Sequence, residues 1–209
     1  LQAMTTGQFA AMNSDQIGAL TTLEITKLES QDLRAISTVA LRALNSDQLA
    51  ALTSDQVPTL TTQQVAALTS DQIAGLGSAD LNALTTAQFA SLSSAQVAAM
   101  NTDQIGALVS DDLRAISTAG LRAWSTDQLN ALSSANMGAL TTAQTAALTT
   151  DQIRNLSSTD LNALGTAQFA ALTTAQVGAF SSDQVAALAT DDLQAMTTGQ
   201  FAAMNSDQI

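Results

Sequence analysis

The chain has 209 residues, 46% hydrophobic but only 3% aromatic and 11% charged, and it contains no Cys, His or Tyr. Disulfide frameworks, the usual zinc and haem ligand sets, and thiol or imidazole catalysis are thereby removed. A net charge of -12 has the wrong sign for nucleic acid or an anionic lipid surface, and no run nears the roughly 18 to 20 apolar residues that span a bilayer, so neither nucleic-acid binding nor membrane insertion is expected of this segment.

From Gln2 onward the chain divides into 26 octads without insertion or deletion, Gln2–Phe9, Ala10–Ile17 and so on to Ala202–Ile209, with the consensus Ala-Ala-Leu-Thr-Thr-Asp-Gln-Ile. Position three is large and apolar in every octad, position eight in 25, and position five is always Ser or Thr. The apolar residues alternate at separations of five and three. Odd separations cannot keep one face of a strand, and a continuous helix would rotate its apolar stripe by about 80° per octad. Five is the spacing of the hydrophobic staple and three that of helical neighbours, so each octad reads as its own short helix. Position four is then the N-cap, being Ser, Thr or Asn in 21 octads, and position seven is N3, being Gln, Asn, Asp or Glu in 24.

Charge agrees with this polarity. All 18 acids lie at positions four, six or seven, in the first turn, while five Arg occupy position one and Lys27 position two, near the C-terminal end. The invariant hydroxyl at position five is a rival N-cap, above all where position four is Glu29, Gly77, Val109, Gly165 or Ala189. Six residues give only about 9 Å of helix. Ordering one octad costs roughly 8 to 16 kcal/mol, against about 3 to 6 from burying its two large apolar residues, so an octad folds only by stacking on others. The expected fold is an all-α solenoid of very short helices, one capped turn-and-a-half per octapeptide, with Leu and Ile/Val inside and Thr, Ser, Asp and Gln outside. Alanine at position two, in 21 octads, allows close approach. A hint of three octads per superhelical turn comes from position five, which runs Thr-Thr-Ser from Thr118 onward.

Along the chain, Arg34 and Arg42 stand on consecutive octads, as do Arg114 and Arg122, and are expected to pair with first-turn acids on adjacent turns. Pro58, at position one, removes a helical N–H and predicts a kink. Asp111/Asp112 and Asp191/Asp192 are carboxylate pairs outside any calcium-loop motif and read as first-turn helix acids. Trp124 stands where other octads have Leu and reads as core; Thr145 is the one polar residue at position eight. Asn155-Leu-Ser157 matches a glycosylation sequon at the level of chance. No catalytic, cofactor-binding or metal-ligating residue is assigned.

Leu193–Ile209 repeats Leu1–Ile17 letter for letter, 24 octads on, and Leu33–Thr38 recurs as Leu113–Thr118 ten octads on. The array, residues 1–209, therefore reads as a single continuous domain: one 192-residue super-repeat, 1–192, overlapped by 193–209, grown by octad duplication and expected to be an excerpt of a longer array.

Leu52–Val57, Leu-Thr-Ser-Asp-Gln-Val, resembles the opening of transcription activator-like effector repeats over six residues, but period and acidity contradict DNA binding. All 26 octads, as in Leu140–Ala146 and Leu148–Ile153, resemble the Leu-Thr-Thr-x-Gln-[Ile/Val]-x-Ala arrays of very large bacterial secreted or cell-surface proteins labelled adhesin-like or haem-utilisation/adhesion. The resemblance implies an acidic structural segment of an extracellular filament or adhesin stalk, giving length, stiffness and self-association into a homo-oligomeric fibre or stacked array; haem finds no ligand set here. The alternative is a binding module whose Thr/Gln/Asp face holds a polysaccharide, calcium or a protein. An enzyme is not expected.

Overall fold

A computed structural model describes residues 3–209. Among them are 24 α-helices of four to six residues and one 3₁₀ turn, with no strand. Twenty-four of the 26 octads give one α-helix each, and the reason is local. In Thr6–Ala11 the N-cap is Thr5, at position four, in extended conformation; its hydroxyl accepts the Gln8 N–H while the Gln8 side chain accepts the Thr5 N–H at 2.8 Å. The helix stops at Met12, position three, whose extended backbone (φ -67°, ψ 135°) turns the chain away while its N–H still bonds the Phe9 carbonyl. Two extended residues, at positions three and four, thus separate successive helices, and no described residue has positive φ.

The rival N-cap at position five is not adopted. Glu29, Gly77, Val109, Gly165 and Ala189 all remain N-caps although none makes a side-chain cap bond. The staple at positions three and eight fixes the start of the helix even where the hydroxyl is missing. Position five becomes the first helical residue, and its hydroxyl is free to reach the next turn of the solenoid.

The chain forms two compact units, Leu1–Gln104 and Ile105–Ile209. In the first, Thr6–Ala11 packs on Ser30–Ala35 and Ser14–Gly18 on Thr38–Leu41; in the second, Thr118–Arg122 packs on Thr142–Ala147 and that helix on Thr166–Ala171. Partners lie three octads apart, so within each unit the solenoid has three octads per turn. Positions three and eight make the core: Phe9, Phe89 and Phe169 are buried at position eight, and Trp124 fills a Leu site at position three. Thr145 is fully buried because its hydroxyl bonds back to the Thr141 carbonyl at 3.1 Å. Pro58 turns its octad into a 3₁₀ turn, Val57–Thr59, in place of an α-helix.

One expectation is reversed. Gln at position seven is not outside: Gln64, Gln96, Gln104 and Gln200 are each 2% exposed or less. The reason is a second set of hydrogen bonds that the local pattern does not display.

Candidate functional site

Gln96 shows the arrangement. Its Oε1 accepts the N–H of Ser93, its own N-cap, at 2.8 Å, while its Nε2 donates to the carbonyls of Val65 and Leu68, both at 2.9 Å. Those carbonyls belong to the end of a helix and to the extended residue after it, on the preceding turn. The Val65 carbonyl already accepts the Leu68 N–H at 3.2 Å, so the glutamine is its second donor, whereas the Leu68 carbonyl lies just past the helix and outside its ladder. One side chain therefore caps its own helix start and the helix end on the turn below.

The offset of 28 residues recurs in fourteen glutamines from Gln48 to Gln208, with donor–acceptor distances of 2.6 to 3.0 Å. Asn136, one methylene shorter, still reaches the Leu108 carbonyl at 2.6 Å. Each bond contributes about 1 kcal/mol, and leaving a buried carbonyl without a donor costs about 1 to 3.

Position one supplies a second contact between turns, to the carbonyl 25 residues ahead. The Asn130 and Asn162 amides donate there, to Asn155 and Ala187, at 3.1 and 2.7 Å, as do the Arg114 and Arg122 guanidiniums, to Ala139 and Ala147, both at 3.0 Å. This corrects the pairing expected for the arginines: Arg114 and Arg122 serve backbone carbonyls of the next turn, and the Arg114 ion pair, 3.5 Å to Asp111, lies within its own helix. Where position one is Gly138, a Cβ would stand 2.7 Å from the Ala163 carbonyl oxygen, so the turns there approach by lacking a side chain.

Aspartate replaces glutamine at position seven in Asp32, Asp80, Asp112, Asp160 and Asp192. Asp32 accepts from the Thr6 hydroxyl at 2.8 Å, and Asp160 from its N-cap Ser157 at 2.6 Å. A carboxylate cannot donate to a carbonyl, and Asp32, Asp112 and Asp192 are buried without that bond. Burial pushes the Asp112 carboxyl up to about 6, with Asp111 adding to the rise, and raises Asp192 beside Asp191 in the same way. Among the described residues no group of three or more acids comes together as a metal site.

Six segments, 25–62, 73–110, 107–142, 131–158, 155–190 and 185–209, match the family described as the ALTTAQ repeat. The chain belongs to the ALTTAQ repeat family. No curated protein matches it. In ALTTAQ terms, the Gln that closes the motif is the clamp, the first Thr supplies the hydroxyl that opens the helix, and the Leu ends the preceding one. No helix among the described residues is long and apolar enough to cross a membrane.

Proposed function

We infer that this array is a structural spacer: a segment of a long extracellular filament or adhesin stalk at the bacterial cell surface, giving length, stiffness and self-association rather than catalysis. The observation that carries this reading is the clamp. The same side chain makes the same two bonds at the same offset over most of each unit, so within a unit turns are joined by one interchangeable interface. Such repetition serves extension, whereas a catalytic site needs exceptional residues brought together once. Lack of Cys and scarcity of Lys suit a chain exported and used outside the cell.

Electron microscopy of the purified native array, with and without Ca²⁺, tests it. Uniform unbranched fibres whose length grows with octad number, in either buffer, are expected. Compact particles, or fibres that form only on addition of Ca²⁺ or a glycan, would overturn the spacer reading in favour of a binding module.

A further inference from the structure

Ten octads separate Asp32 from Asp112, and ten more separate Asp112 from Asp192. Each of the three stands at position seven behind an N-cap without a hydroxyl, Glu29, Val109 or Ala189, that makes no side-chain cap bond. These octads have lost the capping box and the glutamine clamp together. In the last of them the N-cap N–H, on Ala189, donates instead to Asn162 Oδ1 of the preceding turn, at 3.3 Å. Asp192 itself is 5% exposed, and its carboxylate accepts from no N–H or O–H among the described residues. The offset of 28 residues sets it against the carbonyl of Leu164, a buried residue past the end of its helix, to which no backbone N–H donates. Asn136, a side chain of the same length as aspartate, spans that offset with 2.6 Å from its Nδ2 to the Leu108 oxygen. At such a distance two bare oxygens repel, whereas one proton between them makes an ordinary O–H···O hydrogen bond.

We propose that Asp192 is a clamp worked by a proton: as a neutral acid it donates its O–H to the Leu164 carbonyl in place of the glutamine amide, and as a carboxylate it lets that carbonyl go. The proton comes from solvent and returns to it. None of the helices around Asp192 carries Lys or Arg to hold the charged form. Thr166–Ala171, packed against its helix, has no charged residue; Ser158–Asn162, near whose end the acceptor lies, brings only Asp160, itself held by Ser157. The helices before and after, Ser182–Ala186 and Thr198–Ala202, bring only Asp183, and Asp191 is its neighbour on its own helix. Burial, with Asp191 adding to it, raises the carboxyl above its ordinary value of 3.8, so the acid form persists to higher pH in the folded chain than in the unfolded one. The stabilisation is then fully present below pH 3.8 and is lost as pH rises through the folded value. The joint between these two turns closes in acid and loosens towards neutral pH.

Three variants of the 209-residue chain test it: Asp192→Asn, which keeps a donor at every pH, Asp192→Gln, which restores the usual clamp, and Asp192→Leu, which has neither donor nor charge. Each is unfolded in urea from about pH 3.5 to 8 in dilute solution, followed by the fluorescence of Trp124, the one tryptophan. Asp112 titrates in all of them, so differences from wild type isolate position 192. At the acid end wild type is expected to match D192N, while D192L has an unfolding constant roughly fivefold larger. As pH rises, wild type falls below D192N and D192Q, whose difference from each other stays constant. Wild type and D192N that run parallel throughout overturn the proposal. So does a D192L variant that equals both in acid, because burial alone then accounts for the titration; Asp192→Ala takes its place if D192L does not fold. A wild-type deficit at neutral pH that is removed by added Ca²⁺ or Na⁺ overturns it as well, since the carboxylate then holds a metal ion and not a proton.

Discussion

A side chain at position seven does two jobs, and the two make opposite demands. As the N3 residue of a capping box it only accepts, and Glu would serve as well as Gln, with the helix dipole in its favour. As the clamp it must also donate. Gln96→Glu therefore separates them: it should keep the bond from Ser93 but turn a carboxylate onto Val65 and Leu68, and lose more stability than Gln96→Met, for which about 2 to 4 kcal/mol is expected. Urea midpoints of the two variants check this, and a Glu variant as stable as wild type would reduce the clamp to a simple cap. Asp112 is the natural version of the conflict. Its folded value of about 6 lies above the ordinary 3.8, so the folded chain holds an extra proton between those limits. Its contribution is fully present below pH 3.8, is lost as pH rises through about 6, and then stays level. Asp112→Asn should flatten that slope and raise stability at pH 7 by on the order of 1 kcal/mol, read as thermal midpoints from pH 4 to 8.

For the single helix, the sequence displays almost everything. The N-cap, the staple, the capping box and the direction of the charge are all contacts within five residues, and a pattern of eight shows them. The clamp was less legible because its acceptors lie 28 and 31 residues back, beyond any local spacing. There was nevertheless a signal: position seven is Gln in seventeen octads and Glu in one, a bias that capping alone does not require in so acidic a chain. The arginines at position one were misleading for the same reason, since their partners are carbonyls, which every residue has and no sequence pattern marks. The spacing between helices carries its own prediction. Gly138→Ala puts a methyl against the Ala163 carbonyl and should cost about 1 to 2 kcal/mol, whereas Gly7→Ala, whose Cβ would find only Thr5 Oγ1 at 3.9 Å, should gain about 0.5 to 1. Thermal melts of the two variants should move in opposite directions.

Within a unit, what repeats is the octad and not the turn. The recurrence of Leu33–Thr38 at Leu113–Thr118 is a step of ten octads, which is not a whole number of three-octad turns, so duplication has not been confined to complete turns. The fourteen clamping amides from Gln48 to Gln208 find equivalent carbonyls whichever octad lies beneath them. Deletion of residues 142–149, one octad in length, should leave helicity per residue within about a tenth of wild type and a single unfolding transition. Deletion of residues 142–145 instead leaves half an octad, too short to carry its helix or to cross to the next position of the turn, and should lose helical signal and broaden the melt. Equal tolerance of both deletions would mean that the octad is not the unit of folding.

Because one glutamine fastens both its own helix start and the turn below, a tensile load meets the same fastening again and again. Peeling away an octad ruptures that side chain's bonds together and pays out eight residues, about 26 to 29 Å of extended chain, while the next fastening is still intact. A force–extension trace of the array is then a run of small, equal steps with no single breaking point. Under shear such a molecule dissipates work gradually, as a tether with built-in give.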